Sequence, residues 1–449
     1  MTEGNEPGSG TGPEGDPWEL LRSLPPGSEF ELIRVGGTRV RGTLVPSHGL
    51  VSERVVQVKL ASGYNVGLRI LPTDRATVLD RPPVEPVAPG RATPGPEAVP
   101  RAPGEGWIAV LSTGGTIASR VDYRTGGVRP VREEAEILAF YPDLDRDGPV
   151  RVVSVLDRLS EEITPTDWIL LAHRVAETFG AGASGVVVAH GTDTLAYTAA
   201  ALSFALPRLP GPVVLVGAQR SPDRPSSDGP SNLLAAVRLA RSGDLGEVVV
   251  VMHSGLSDTE FAIHRGSRVR KMHTSRRDAF RTRNGPPLGT ISDGTISWNS
   301  SPRPPSTGPP VLDDRFDPRG GLLWLYPGLE PERAEGFVRG HRGVVLSGTG
   351  LGHASLVHLP WIRRAVTDGT FVGMSSQCLE GAVDPFVYAT GRELVRAGVT
   401  YLGDMLAEVA YAKLLFALGR ARGPGEVAEE MLRDWSGELS DRRPVGDAG

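Results

Sequence analysis

At 449 residues, with 39% hydrophobic and 22% charged residues, the chain is long enough for two to four domains with real cores. Its net charge of −5 argues against electrostatically driven nucleic-acid binding as the main task, and its single cysteine, Cys378, excludes an internal disulfide framework and a Cys-rich zinc site. No apolar run reaches the roughly 18 residues of a membrane-spanning helix, and the N-terminus carries neither the basic nor the apolar region of a secretory signal, so the expected location is a reducing cytoplasm, with no membrane partner.

Residues 1–26, rich in Gly, Pro, Glu and Ser, read as a disordered tail. Over residues 27–80 the stretches FELIRV, TRVRGTLVP, RVVQVKLA and YNVGLRI are rich in β-formers and are separated by turn residues, which predicts a small antiparallel barrel or sheet, SH3-like. Residues 81–106 hold eight prolines and no periodic apolar face, the composition of a semi-extended linker. From Trp107 the texture becomes α/β. The runs WIAVLS, VRVVSVL, GVVVAH, PVVLVGA and EVVVVMH alternate with helical patterns, and continuous apolar strands of this kind belong to a doubly wound, mainly parallel sheet, here over residues 107–300. A second break, SSPRPPSTGPP, precedes the strands GLLWLYP, GVVLSGTGLG and FVGMSSQ of a smaller α/β domain over residues 318–435.

Sites in open parallel sheets lie beyond the carboxyl ends of the strands. Here those ends read Thr113-Gly114-Gly115-Thr116, Ser160-Glu161, His190-Gly191-Thr192-Asp193-Thr194, Gly217-Ala218-Gln219-Arg220 and His253-Ser254-Gly255. Each carries a hydroxyl, a small residue or a carboxylate. TGGT matches neither nucleotide-binding fingerprint, and flanking threonines beside backbone N–H groups suit acyl transfer, although Gly-Gly is also a common tight turn. HGTDT sets a hydroxyl beside a carboxylate at a helix start, where both also serve as caps. A threonine hydroxyl needs a base, for which one of the nine histidines is one candidate and Lys271 another. The chain writes arginine wherever a cation serves and keeps three lysines, Lys59, Lys271 and Lys413. Lys271 lies in RGSRVRKMHTSRRDAF, where cationic crowding or burial would lower an amine's pKa toward neutrality. The arginines of that block read as a solvated basic loop or an RNA contact, and no function is assigned to Lys59, Lys413 or Cys378.

TGGTIAS followed by HGTDT and a downstream lysine resembles the bacterial-type L-asparaginase family. GTLVPS, SGYNVGL, AHGTDTLAYTAAALSF, VLVGAQRSPDRPSSD, VRKMHTSRRDAF, GTGLGH and SSQC are similar to one branch of it, the D subunits of archaeal-type glutamyl-tRNA(Gln) amidotransferases, over roughly residues 27–80 and 107–435. The resemblance implies a two-domain asparaginase-like fold behind the small β-domain. It implies Thr116 as nucleophile, Tyr123 of a mobile loop as its activator, and Thr192, Asp193 and Lys271 as a second triad. It implies Ser160, Glu161 and Asp193 as the grip on the amino-acid end of L-Asn or L-Gln, with Glu161 standing where free asparaginases have Gln. Backbone N–H groups of Gly115 and Thr192 are weaker candidates for the oxyanion hole. No metal and no cofactor is implied in this chain. ATP and Mg2+ are expected on a partner E subunit, which converts Glu-tRNA(Gln) to Gln-tRNA(Gln) in a D2E2 complex and makes most of the tRNA contact, while two D subunits pair through their asparaginase-like domains. A free-standing asparaginase or glutaminase and a non-catalytic RNA-binding scaffold are the competing readings.

Overall fold

The structure is a computed structural model that describes residues 16–25, 27–45, 54–60, 65–80, 106–114, 119–121, 128–130, 144, 146–220 and 227–440. The chain divides into two compact units, one of residues 1–92, 120–129 and 223–226, the other of the remainder.

The first unit opens on helix α1 (Pro17–Arg22). It overturns the end of the expected disordered tail, of which residues 1–15 and 26 lie outside the described residues. Asp16 caps the helix by accepting from the Trp18 N–H, Pro17 supplies the preset φ of a first helical turn, and Leu21 is fully buried. The Asp16 carboxylate also takes a forked pair of bonds from Arg54, at 2.6 and 2.7 Å. Five antiparallel strands follow: β1 (Glu29–Ile33), β2 (Arg39–Val45), β3 (Val55–Leu60), β4 (Asn65–Arg69) and β5 (Arg75–Asp80), in the order β4-β3-β2-β1-β5. Alternation places Phe30, Leu32, Leu44, Val56 and Val58 in one small core. Strand β5, RATVLD, was not legible as a strand: it is an edge strand pairing with β1 alone, it buries no residue fully, and its arginine and aspartate dilute the alternation. No ladder joins β4 to β5 among the described residues, and the described strands form a meander that β5 returns to β1, a small antiparallel β-domain of the kind expected.

The second unit begins with β6 (Trp107–Ser112), all six residues of which are buried. Next in the chain is a short two-stranded ladder, β7 (Ser119–Val121) with β8 (Val128–Pro130), most of which belongs to the first unit. The second unit then resumes with β9 (Val150–Ser154), β10 (Ala183–Ala189), β11 (Val213–Val216) and β12 (Val248–His253). β12, β11, β10, β6 and β9 lie side by side in that order, all parallel. The chain moves from β6 to one neighbour, β9, and then crosses to the other, β10. The strand order therefore reverses between β6 and β10, and the crevice of such a sheet opens at that point. The TGGT and HGTDT segments are the two strand exits that flank it.

Antiparallel strands extend the sheet beyond β12: β13 (Glu260–Arg265), then β16 (Gly289–Ser292) and β17 (Thr295–Trp298). Between them, β14 (Val269–Lys271) and β15 (Phe280–Thr282) form a separate hairpin carrying Lys271. The sequence patterns did not announce this extension, because the strands are short and read as basic or Ser/Thr-rich segments.

Helices α2 (Pro165–Gly180), α3 (Leu195–Ala205) and α4 (Gly229–Ser242) cover the sheet. The smaller lobe holds β18 (Gly320–Trp324), β19 (Gly343–Gly348), β20 (Phe371–Ser376) and β21 (Thr400–Tyr401), all parallel, with α5 (Pro331–Val338), α6 (Leu359–Thr367), α7 (Ala389–Arg396), α8 (Ala407–Arg420) and α9 (Pro424–Leu432). Helix α3, LAYTAAALSFA, is apolar all round because it lies between β11 and β12 of the large sheet and helix α8 of the small lobe. The second Pro-rich break does not behave as a free linker. Arg303 accepts from Gly246 N–H and donates its own N–H to Glu247, Ser306 donates to the Leu209 carbonyl, and Val311 donates to that of Arg208. The first linker, residues 81–105, lies outside the described residues. Among the described residues no helix is long and apolar enough to cross a membrane.

Candidate active site

Three strand exits converge at the switch point, and close packing holds them together. The first threonine of TGGT, Thr113, is fully buried, and both its N–H and its hydroxyl donate to the Ala189 carbonyl at the end of β10. That hydroxyl is a structural tie. Gly114 follows with φ +92°, and a Cβ there would stand 2.6 Å from the Arg158 carbonyl oxygen, so the turn requires glycine on both counts. Thr116, Gly115 and Tyr123 lie outside the described residues.

Ser160 opens a 3-10 turn, Ser160–Glu162, with its side chain buried and that of Glu161 exposed. The HGTDT loop is moored against it. Thr194 donates its hydroxyl to the Ser160 carbonyl at 2.5 Å, and a Cβ on Gly191 would meet the Ser160 side chain at 2.7 Å. Thr194 is therefore a strut between loops, and the glycine before Thr192 allows their approach.

His190 fixes this loop from beneath. The ring is fully buried. Nδ1 lies 2.7 Å from the Gly191 carbonyl, and Nε2 lies 2.9 Å from the Thr198 hydroxyl, which itself accepts from the Trp168 indole at 3.1 Å. These partners assign the tautomer: Nδ1–H donates to Gly191, and Nε2 accepts from Thr198. Burial pushes the pKa down to about 4. The sign of its contribution to stability follows. Below about pH 6.5 the unfolded chain takes up a proton that the folded ring refuses, so stability present above that pH is lost as pH falls toward 4. We expect the unfolding free energy of a His190→Asn variant to fall less steeply between about pH 7.5 and about pH 4.5, by about 2–3 kcal/mol relative to the parent chain. Urea melts at the two pH values measure this, and equal slopes would refute it.

Thr192, Asp193 and Lys271, read from segments far apart in the sequence, come together. The Lys271 amine donates to Thr192 Oγ1 at 2.8 Å and to Asp193 Oδ1 at 2.8 Å. Thr192 is buried. The lysine side chain is 13% exposed, whereas the Asp193 carboxylate is 68% exposed and open to a ligand. Gly217, at the end of β11, closes the far side of Thr192: a Cβ there would sit 2.7 Å from Thr192 Cγ2.

Residues 272–276 of the basic block around Lys271 are exposed as expected, but the arginines of the block are not free cations. Its arginines are paired with carboxylates: Arg265 with Glu247 (2.7 Å), Arg268 with Asp404 (2.6 Å), Arg270 with Glu408 (2.8 Å), Arg276 with Asp278 (2.7 Å) and Arg277 with Asp258 (2.5 Å). These acids offset the cationic crowding that the sequence implied around the lysine. Except for Asp278, which lies in the block itself, they come from outside it, so spacing within the block gave no sign of them.

Beyond β11 and β12 lies a buried polar chain that sequence reading missed. Asp228 is fully buried and accepts from the backbone N–H groups of Gln219 and Arg220 and from the Asn232 amide. Asn232 also donates to the Gly217 carbonyl and accepts from His253 Nδ1 at 2.7 Å. A D-x-x-x-N spacing at a helix start was its only trace. Among the described residues, no group of three or more His, Cys, Asp or Glu side chains is placed to hold a metal ion.

The models for the asparaginase N-terminal domain and the glutaminase/asparaginase C-terminal domain match residues 107–304 and 321–431, and that for the GatD N-terminal domain matches residues 28–79. The D subunit of glutamyl-tRNA(Gln) amidotransferase from Saccharolobus islandicus (strain L.S.2.15 / Lassen #1) is 42% identical over 434 residues, covering 95% of this chain and 96% of its own. The chain belongs to the family of glutamyl-tRNA(Gln) amidotransferase D subunits. The D subunit of Pyrococcus furiosus is similar at 43% identity, over 92% of this chain and 94% of its own. Among solved structures, the thermostable L-asparaginase from Thermococcus kodakarensis aligns with a TM-score of 0.69 at 33% identity, covering 75% of this chain and all of that one. A probable cytoplasmic L-asparaginase from Campylobacter jejuni aligns at 0.62 and 26%, covering 73% and 99%. The second unit thus has the asparaginase fold, and the D-subunit family adds the small β-domain before it.

Proposed function

We propose that this chain releases ammonia from L-Asn or L-Gln and supplies it to a partner subunit that converts Glu-tRNA(Gln) to Gln-tRNA(Gln). Thr116 attacks the side-chain amide carbonyl, Tyr123 hydrogen-bonds and activates it, and backbone N–H groups of Gly115 and Thr192 face the oxyanion. The Thr116 proton passes through the Thr192 hydroxyl to the Lys271 amine and returns to the leaving nitrogen, which departs as ammonia. Water then hydrolyses the acyl-enzyme. Ser160, Glu161 and Asp193 hold the amino-acid end of the substrate, the two carboxylates on its α-ammonium. ATP and Mg2+ belong to the partner E subunit, with which this chain forms a cytoplasmic D2E2 assembly built on a homodimer of asparaginase-like domains.

The observation that carries this reading is the Lys271 amine bridging Thr192 and Asp193 at the switch point of the sheet. The match to the GatD N-terminal model over residues 28–79 favours the coupled role over a free-standing asparaginase. The test is ammonia release from L-Asn and L-Gln, measured for the chain alone and with an E subunit, Glu-tRNA(Gln) and ATP. Release that rises at least about tenfold in the full mixture supports coupling. Equal release in both conditions would assign the chain to free amide hydrolysis, and no Thr116-dependent release in either would remove the catalytic reading altogether.

A further inference from the structure

The hairpin that carries Lys271 has few apolar anchors of its own, since β14 and β15 bury only Val269 and Phe280 fully. It is held from outside by the last described residues of the chain. Helix α9 ends at Leu432, and residues 433–440 then run as a strap across three other elements. The Ser436 hydroxyl donates to the Ser203 carbonyl near the end of α3, the helix that begins just after HGTDT. Ser267 donates its hydroxyl to the Ser436 carbonyl at 2.6 Å. Arg268 uses its whole guanidinium: Nε donates to the Gly437 carbonyl at 2.6 Å, Nη1 to Asp404 at 2.6 Å, and Nη2 to the Ser440 hydroxyl at 2.8 Å. Asp404 in turn accepts from the Ser440 N–H and hydroxyl. Across the hairpin, Asn284 donates to the Asp404 carbonyl at 2.8 Å.

The guanidinium of Arg268 is thus the point where hairpin, strap and small lobe meet, three residues before Lys271. Its side chain is 11% exposed, and its carboxylate partner is 8% exposed. Bonds to an ionised donor in such surroundings are the stronger kind, and a planar fork fixes direction as well as distance.

We propose that Arg268, clamped between Asp404 and the strap of residues 436–440, is a positioning residue that holds the Lys271 amine on Thr192 and Asp193. The proposal rests on the reading of Lys271 as the proton-transfer group of amide hydrolysis. Arg268 touches no substrate and acts through the hairpin backbone. Lysine at this position would keep the charge but not the three-way fork, so charge alone does not restore the function.

The test uses the full chain, with its three lysines labelled by 13Cε-lysine and the signals assigned by single substitutions. In Arg268→Ala we expect kcat for ammonia release to fall at least about tenfold while KM changes less than about twofold, with the Lys271 signal shifted or broadened and that of Lys59 unmoved. Arg268→Lys should keep most of the loss. Should Arg268→Ala not fold, the paired change Ser267→Ala and Ser440→Ala removes two hydroxyl ties and should lower kcat about two- to fivefold, again with a displaced Lys271 signal. A folded variant with unchanged kcat and an unchanged Lys271 signal overturns the proposal. Lys271→Met separates the two readings: if it retains full kcat, the proton-transfer role of the lysine falls, and the Lys271 signal in Arg268→Ala alone then decides whether Arg268 positions the amine.

Discussion

Replacing Lys271 by arginine is expected to lower kcat for ammonia release about 10²- to 10⁴-fold, the range over which a positioned acid–base group acts, with little change in the thermal melt. The amine is a compact donor that reaches both Thr192 Oγ1 and Asp193 Oδ1 at 2.8 Å from a side chain only 13% exposed. Arginine would keep the positive charge beside Asp193, but it cannot lose its proton near neutral pH, and its planar fork cannot occupy the same point. The substitution therefore separates two roles that alanine would confuse. If the lysine serves merely as a counter-ion that holds Asp193 in place, arginine should preserve activity to within a few fold. If it exchanges a proton with Thr192, arginine should be nearly as damaging as methionine. Thr192→Val, which removes the hydroxyl at nearly constant volume, should then match it, and the double variant should lose little more than either single one, because groups that act as a unit do not add. Thr116→Ala sets the floor of the same assay, with an expected loss of at least about 10⁴-fold. Steady-state ammonia release at saturating L-Asn and L-Gln measures all four, and an arginine variant within about threefold of the parent would reject the proton role.

The strand exits were legible because buried parallel strands write themselves as unbroken apolar runs, and the residue after such a run is by topology at the mouth of the sheet. WIAVLS, GVVVAH and EVVVVMH each placed their exits where the structure has them. Thr192 and Lys271 are 79 positions apart, and it was the family resemblance that paired them, the residues alone leaving histidine or Lys271 as the base. What stayed hidden was the support. Asp404 and Glu408 look like ordinary surface acids in sequence, and nothing local says that they neutralise Arg268 and Arg270 across more than 130 positions. Strands β13 to β17 were hidden for a related reason. β16 and β17 have one face open, so Ile291 and Ile296 arrive singly among polar residues, and the apolar run of β13, Phe261-Ala262-Ile263, is only three residues long. The residues closest to the expected nucleophile were named through motif resemblance, while those that hold the motif in place needed coordinates.

Lys413, to which sequence assigned no function, carries the largest expected effect on stability. It is completely buried, as is its partner Glu438 at 2.5 Å. Burial draws the lysine pKa below its ordinary value, against the opposing pull of the carboxylate. The pair does more than cancel charge. The amine also donates to the Met431 carbonyl at 2.8 Å and the Arg433 carbonyl at 2.6 Å, where helix α9 runs out of its own donors. The carboxylate accepts from the Trp435 and Ser436 N–H groups at the start of the strap. A buried ion pair is often replaceable by apolar residues of similar volume, but that rule presumes that the charges satisfy only each other. Here Lys413→Met leaves Glu438 buried without its cation and two carbonyls without a donor. We expect a loss of about 3–5 kcal/mol in unfolding free energy, read in urea, with a corresponding fall in the melting temperature. The double change Lys413→Met and Glu438→Gln should recover part of this, because it removes the stranded charge while the glutamine oxygen still accepts one N–H. It should not reach the parent value, because the carbonyls of Met431 and Arg433 remain unpaired. A double variant as stable as the parent would mean that the pair serves charge balance alone and that the end of helix α9 is satisfied without it.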